Sequence, residues 1–179
     1  MKIPLEPKAA GAVTFQRYGP QPEIAGVIYQ PLQKHRDLEG WFVEYMRLTG
    51  GAVERLPVKF DVRQISFSKA TSGRINAFHL HPKEVQDELW CVIEGTLLVW
   101  LVDQRAGSPT LGVKHRYVLS GEEPGLLHIP SGVAHGYKAG PEGALLVYTM
   151  NNQFNPQDPN EGRLPWDYFG RELWEETRG

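Results

Sequence analysis

Residues Gly73 to Gly95 read GRINAFHLHPKEVQDELWCVIEG. A glycine stands at each end, and Pro82 to Asp87 separates two β-type runs, Ile75–His81 and Glu88–Ile93. In a strand, residues i and i+2 face the same side. His79 and His81 therefore point one way, and Phe78 and Leu80 the other. Glu88 opens the second run. Farther along, HIPSGVAHGY (128–137) supplies His135 just after a Pro-x-Gly turn. Three histidines and a glutamate on facing strands make either a metal site or a polar catalytic pocket.

The same β pattern extends outward in both directions. Strands are expected near Gly26–Tyr29, after a turn at Glu39-Gly40, at Leu56–Phe60 and at Arg63–Lys69. Beyond the opening stretch they recur at Thr96–Val102, Val113–Leu119, Gly125–Ile129, Ala134–Tyr137 and Ala144–Met150. Turn signals separate them, among them Glu94-Gly95, Gly107-Ser108-Pro109, Ser120-Gly121 and Gly140-Pro141. Many short strands with no long helical period between them indicate an all-β sandwich or jelly-roll barrel. Residues 1–24 carry Pro4, Pro7, Pro20 and Pro22 and read as an N-terminal arm, with one short strand at Val13–Phe15. After Asn151 a polar, proline-broken tail (151–179) closes in a short helix, Tyr168–Glu176.

At 179 residues the chain fits one domain, 1–179, with room for a proper core. A net charge of -2 gives no reason to expect nucleic acid or an anionic membrane as partner. The longest apolar run, Leu97–Val102, is far too short to span a bilayer. The single cysteine, Cys91, cannot form an internal disulfide and fits a reducing, cytoplasmic setting.

The spacing His79-x-His81, six residues, Glu88, then Pro130-x-Gly132-x-x-His135, resembles the paired motifs of the cupin superfamily. That resemblance implies a cupin-type double-stranded β-helix (jelly-roll barrel). It also implies one divalent metal held by His79, His81, Glu88 and His135. The gap between His81 and Glu88 is about two residues longer than usual in that motif, which the Pro82–Asp87 loop absorbs. Imidazole and carboxylate ligands suit Zn, Fe, Mn, Ni or Cu.

A second resemblance covers about Arg36 to Trp166. VDQRAGSPTLG (102–112), HIPSGVAHGY, DLEGWFVE (37–44) and FHLH (78–81) are similar to signatures of the 3,5-epimerases of dTDP-4-keto-6-deoxy sugars, themselves cupin-type jelly rolls. The resemblance implies His79 as base beside a 4-keto group, oriented by an acidic partner, with Tyr148 returning the proton from the opposite face. It also implies a homodimer and a sugar or sugar-nucleotide substrate, with Gln64, Asn76 and His128 as substrate-binding positions. Three of the family's cationic positions are occupied here by Glu39, Asn76 and Glu88, which removes positive charge expected around a diphosphate. The family's acidic partner lies in a longer tail, for which Asp167 or Glu172 could substitute.

His81 and Glu88 complete a metal quartet just where the epimerase pattern is broken. The residues therefore favour His79 as a ligand over a free base. The alternatives are a metal-dependent isomerase or oxygenase acting on another small molecule, and a non-enzymatic sugar-binding cupin. For the last, five tryptophans are compatible with sugar stacking, although Trp90 and Trp100 read more simply as core.

Overall fold

The computed structural model describes residues 3–15 and 19–175. Among these described residues, twelve strands follow a short helix, α1 (Pro7–Ala12). They are β1 (Ile28–Pro31), β2 (Lys34–Asp37), β3 (Gly40–Val43), β4 (Leu48–Thr49), β5 (Ala52–Val53), β6 (Gln64–Ala70) and β7 (Ile75–Leu80). Then come β8 (Glu88–Asp103), β9 (Lys114–Ser120), β10 (Gly125–Ile129), β11 (Val133–Met150) and β12 (Gly162–Arg163), before a 3-10 turn at Arg171–Trp174.

Two long antiparallel strands, β8 and β11, form the spine of an eight-stranded sheet. Their outer halves continue into one face, β1-β10-β8-β11-β6, through Glu88–Ile129 and Met150–Gln64 pairings. Their other halves continue into a second face, β9-β8-β11-β7-β12. Each strand thus serves both walls of the jelly roll. The change of wall falls where Gly95 pairs with Ala144 and the register shifts between Ala139 and Ala144. Gly95 (φ 71°) and Gly143 (φ 75°) both occupy the left-handed region there. A Cβ on Gly95 would fall on the Gly143 carbonyl oxygen. The turn signals at Glu94-Gly95 and Gly140-Pro141 are therefore bends inside continuous strands, and four expected strands merge into two.

Alternation fills the barrel. Leu97, Val99, Leu101, Leu119, Leu127, Ile129 and Val133 belong to one buried cluster between the walls. The opposite side chains are covered from outside. Leu89 packs beneath Val53 and Phe60 of the 45–62 segment, which holds no strand at Leu56–Phe60. Phe78 and Val102 pack beneath Leu173 and Trp174, with Phe78 edge-on to Phe169 at 4.8 Å. The tail element is the 3-10 turn, shorter than the expected helix, whose last residue, Glu176, lies outside the described residues. In the arm, the strand expected at Val13–Phe15 is absent. The chain there follows α1, which Glu6 caps by accepting from the Ala9 N–H at 2.9 Å.

The Asp-x-Arg-x-Gly-Ser-Pro-Thr signature is a staple of this fold. Asp103 is fully buried. It accepts hydrogen bonds from the Arg105 guanidinium and backbone and from the Ser108 and Thr110 hydroxyls, at 2.6 to 3.0 Å. Arg105, followed by those hydroxyls, holds the Asp103 carboxyl well below the usual range despite its burial. Thr110 and Arg105 then bind the N–H and carbonyl of Ala25, which ties the N-terminal segment to this turn.

The bend at Gly95 yields a prediction for thermal or denaturant unfolding. Gly95→Ala is expected to cost about 2–5 kcal/mol, from the left-handed backbone and the steric overlap together. An unchanged unfolding midpoint would show that the bend tolerates a side chain.

Candidate active site

Between the two walls lies a cavity of about 420 Å³, lined in part by Gln64, Asn76, His79, Glu88, His135 and Tyr148. His79 comes from β7 in the second wall. Tyr148 comes from the half of β11 that pairs with β6 in the first. They enter the same space from opposite sides.

His79 and His81 diverge in their partners. His79 Nδ1 lies 2.5 Å from Glu161 Oε1. Its Nε2 lies 3.0 Å from the Asn76 carboxamide oxygen. That oxygen accepts from an imidazolium, and a rotated carboxamide presents its NH2 to the neutral ring. Burial alone would raise the Glu161 carboxyl, but the hydrogen bond and charge of His79 outweigh it and keep the carboxyl below its ordinary value. A carboxylate on Nδ1–H fixes the tautomer, places the lone pair on Nε2, where Asn76 meets it, and stabilises the imidazolium once Nε2 has taken a proton.

His81 Nδ1 donates to the Asn160 carbonyl at 2.8 Å, and its Nε2 lies 3.0 Å from Glu88 Oε1. Glu88 is fully enclosed and also accepts from Trp90 Nε1 at 2.5 Å. Burial opposes its ionisation, but the bonds from His81 and Trp90 prevail and hold it at about 2. Burial likewise opposes charge on His81, yet Glu88 and the Asn160 carbonyl raise its pKa above the ordinary imidazole value. His135 donates Nδ1–H to the Val133 carbonyl at 3.0 Å and places Nε2 3.7 Å from Glu88 Oε2. Burial pushes its pKa down to about 4, so it is neutral at neutral pH and its Nε2 is a bare acceptor.

Donor atoms of His81, Glu88 and His135 lie within 4.8 Å of one another. The donor set fits a cation. With Nδ1–H of each histidine committed to a carbonyl, two lone pairs face a carboxylate, and a cation must sit among them. A proton on His81 or a metal ion meets that need. His79 stands outside this cluster, because both of its ring nitrogens are engaged elsewhere. The expected quartet is therefore a trio.

Gln64 lines the cavity and accepts from the Phe154 N–H. Asn76 also lines it, against His79. His128 does not reach it. It is buried on β10, with Nδ1 2.9 Å from the Gly26 carbonyl, its ring against Phe60, and Nε2 3.5 Å from Asp87. Its side chain points out of the barrel, under the 45–62 segment. Glu39 sits at the tip of the β2–β3 hairpin and Asp167 and Glu172 sit beyond β12; none of the three lines the cavity. Glu161, which sequence reasoning passed over, is the carboxylate that meets His79, where Asp167 or Glu172 was expected. Its one sequence signal is the polar block Asn160-Glu161-Gly162-Arg163 between Pro159 and Leu164.

The family model of dTDP-4-dehydrorhamnose 3,5-epimerase matches residues 21–168. The chain belongs to that family of sugar epimerases. It is 40% identical over 145 residues to the spore coat polysaccharide biosynthesis protein SpsL of Bacillus subtilis, covering 80% of this chain and 91% of that one. It is 31% identical over 147 residues to the probable low-salt glycan biosynthesis epimerase Agl13 of Haloferax volcanii, covering 82% and 90%. Among solved structures, the dTDP-6-deoxy-D-glucose-3,5-epimerase of Legionella pneumophila, in complex with dTDP-4-keto-L-rhamnose, superimposes with a TM-score of 0.72 at 25% identity, covering 88% of this chain and 81% of that one. The cupin-type jelly roll and the sugar epimerase class expected from the motifs are thus established for this chain. No helix among the described residues is long and apolar enough to cross a membrane.

Proposed function

We propose that this epimerase inverts a carbon next to the carbonyl of a dTDP-linked 4-keto-6-deoxy sugar, with His79 as base. The observation that carries the reading is the His79–Glu161 pair at the cavity wall, with Tyr148 entering from the other wall. A carbonyl acidifies the adjacent C–H. His79 Nε2 takes that proton, and Glu161 stabilises the imidazolium that forms. The resulting enolate is planar and can be reprotonated from either face. Burial, foremost, raises the Tyr148 hydroxyl above its ordinary pKa, so it stays protonated and able to donate. Return of the proton from the Tyr148 side inverts the centre.

Arg163 supports a diphosphate-bearing substrate. It pairs with His79 across β12 and β7. It is the one lysine or arginine lining the cavity among the described residues, and its exposed guanidinium lies 3.8 Å from Glu161. It offers a phosphate contact in place of the charge lost at Asn76 and Glu88.

Incubated in deuterium oxide with dTDP-4-keto-6-deoxyglucose, the protein is expected to incorporate deuterium next to the carbonyl. Glu161→Gln should slow this about 100-fold or more, in line with the loss of a general-base partner. Arg163→Ala should raise KM about tenfold with kcat within about twofold, as for loss of one charge-assisted contact. No exchange by folded wild-type protein would overturn the reading.

A second reading concerns the cation beside Glu88. The buried acceptor set of His81, Glu88 and His135 favours a divalent transition metal there, which would supply Lewis-acid stabilisation of an oxyanion. After zinc or manganese loading and desalting, about one ion per chain is expected in the wild type and none in His81→Ala. Metal-free wild type with full exchange activity would leave the proton as the cation and remove this reading.

The cytoplasm suits the lone, buried, unpaired Cys91. Exposed Ile65 and Phe67 on β6, and Trp41 and Phe42 on the β2–β3 hairpin, favour a homodimer that covers them. Sedimentation of a single monomeric species at micromolar concentration would contradict that assembly.

A further inference from the structure

The tail residue before Glu161 is built into the site as firmly as Glu161 itself. The Asn160 side-chain oxygen accepts from the Lys83 N–H at 2.8 Å and the Glu84 N–H at 3.2 Å. Its NH2 donates to the Glu84 carbonyl at 3.0 Å and to Gln86 Oε1 at 3.4 Å. Its own carbonyl accepts from His81 Nδ1. All these partners lie on His81 or on the Pro82–Asp87 loop, the segment about two residues longer than the cupin motif requires.

On its C-terminal side Glu161 is pinned by backbone pairing: Gly162 opposite Leu80, Arg163 opposite His79, and two hydrogen bonds between Leu164 and Phe78. On its N-terminal side residues 153–159 are exposed, carry two prolines and join no strand. Phe154 N–H bonds Gln64 and Asp158 pairs with Lys83 within that segment, and Asn160 fastens its end to the 82–87 loop next to Glu161. A glutamate side chain has three torsions to fix, and a carboxylate must be held closely to orient an imidazole.

We propose that Asn160 is a positioning residue: it clamps the tail to the 82–87 loop and thereby sets the Glu161 carboxylate against His79. The lengthened loop and the tail carboxylate then form one device. The loop turns two adjacent amides toward the tail, and Asn160 fills them. Asn160 does not line the cavity that holds His79 and Tyr148, so it acts through Glu161 and not on substrate. The inference rests on the reading of His79 as base oriented by Glu161.

Two measurements test it, the first free of substrate. Proton NMR of the wild type is expected to show a low-field resonance from the His79–Glu161 hydrogen bond, identified by its loss in Glu161→Gln. Asn160→Ala should abolish or shift it, and so should Asn160→Asp, which keeps the two acceptor contacts but sets a carboxylate oxygen against the Glu84 carbonyl and Gln86 Oε1. A resonance unchanged in the folded variants would overturn the proposal. Should Asn160→Ala fail to fold, an unchanged resonance in Asn160→Asp alone overturns it.

The second measurement is the exchange assay. Asn160→Ala should lower kcat about 10- to 100-fold with KM within about twofold, the scale of a misplaced catalytic group. On the Glu161→Gln background the same substitution should cost nothing further. An equal loss on both backgrounds would show that Asn160 acts elsewhere. Wild type that shows the low-field resonance but exchanges no substrate would refute the substrate reading and leave the clamp standing.

Discussion

A carboxylate inside a barrel must be paired, and this site is organised by the two that are. Glu88 at the floor of the cavity is shut off from water and Glu161 at its wall is partly buried, so burial opposes charge on both and each is stabilised by a donor or a cation. The strand bearing His79-x-His81 meets both needs with one pair of side chains. His81 serves Glu88, together with Trp90. His79 serves Glu161 and keeps its second nitrogen toward the cavity. The division of partners, more than the number of histidines, distinguishes a proton-transfer centre from a four-ligand metal cage.

Much of this could be read from the chain. Period-two alternation and turn residues located most strands, because burial between two walls leaves a plain imprint on sequence. The spacing of His81, Glu88 and His135 correctly indicated that they converge. Errors arose where a residue's meaning depends on a distant partner. Gly95 looks like a turn until Gly143 is seen beside it, where both let a strand bend without ending. The tail around Glu161 looks like an open linker, and nothing local shows that residue 161 meets residue 79. His128 alternates suitably on its strand, yet the parity of β10 turns it outward under the 45–62 segment.

The cation losses also change meaning once placed. Glu39 sits on an exposed hairpin tip, so its charge does not face this chain's cavity. Asn76 gives up a charge and gains a hydrogen bond to His79. Glu88 exchanges a cation for an anion, and His81 arrives with it, so the pair is nearly neutral as a unit. Arg163 supplies positive charge from the tail, next to the residue that orients the base. On the proposed reading the tail supplies both the carboxylate that orients the base, as the family pattern expects of it, and a cation for an anionic substrate, at a position other than those of the family signatures.

The central claim is that His79 holds a proton and faces a sugar. A crystal structure of the metal-loaded protein with a bound dTDP-linked 6-deoxy sugar tests this most directly. The account predicts the carbon next to C4 within about 3.5 Å of His79 Nε2, the Tyr148 hydroxyl on the opposite face of the ring and the diphosphate toward Arg163. A metal ion bonded to His79, or a sugar seated outside the cavity, would contradict it.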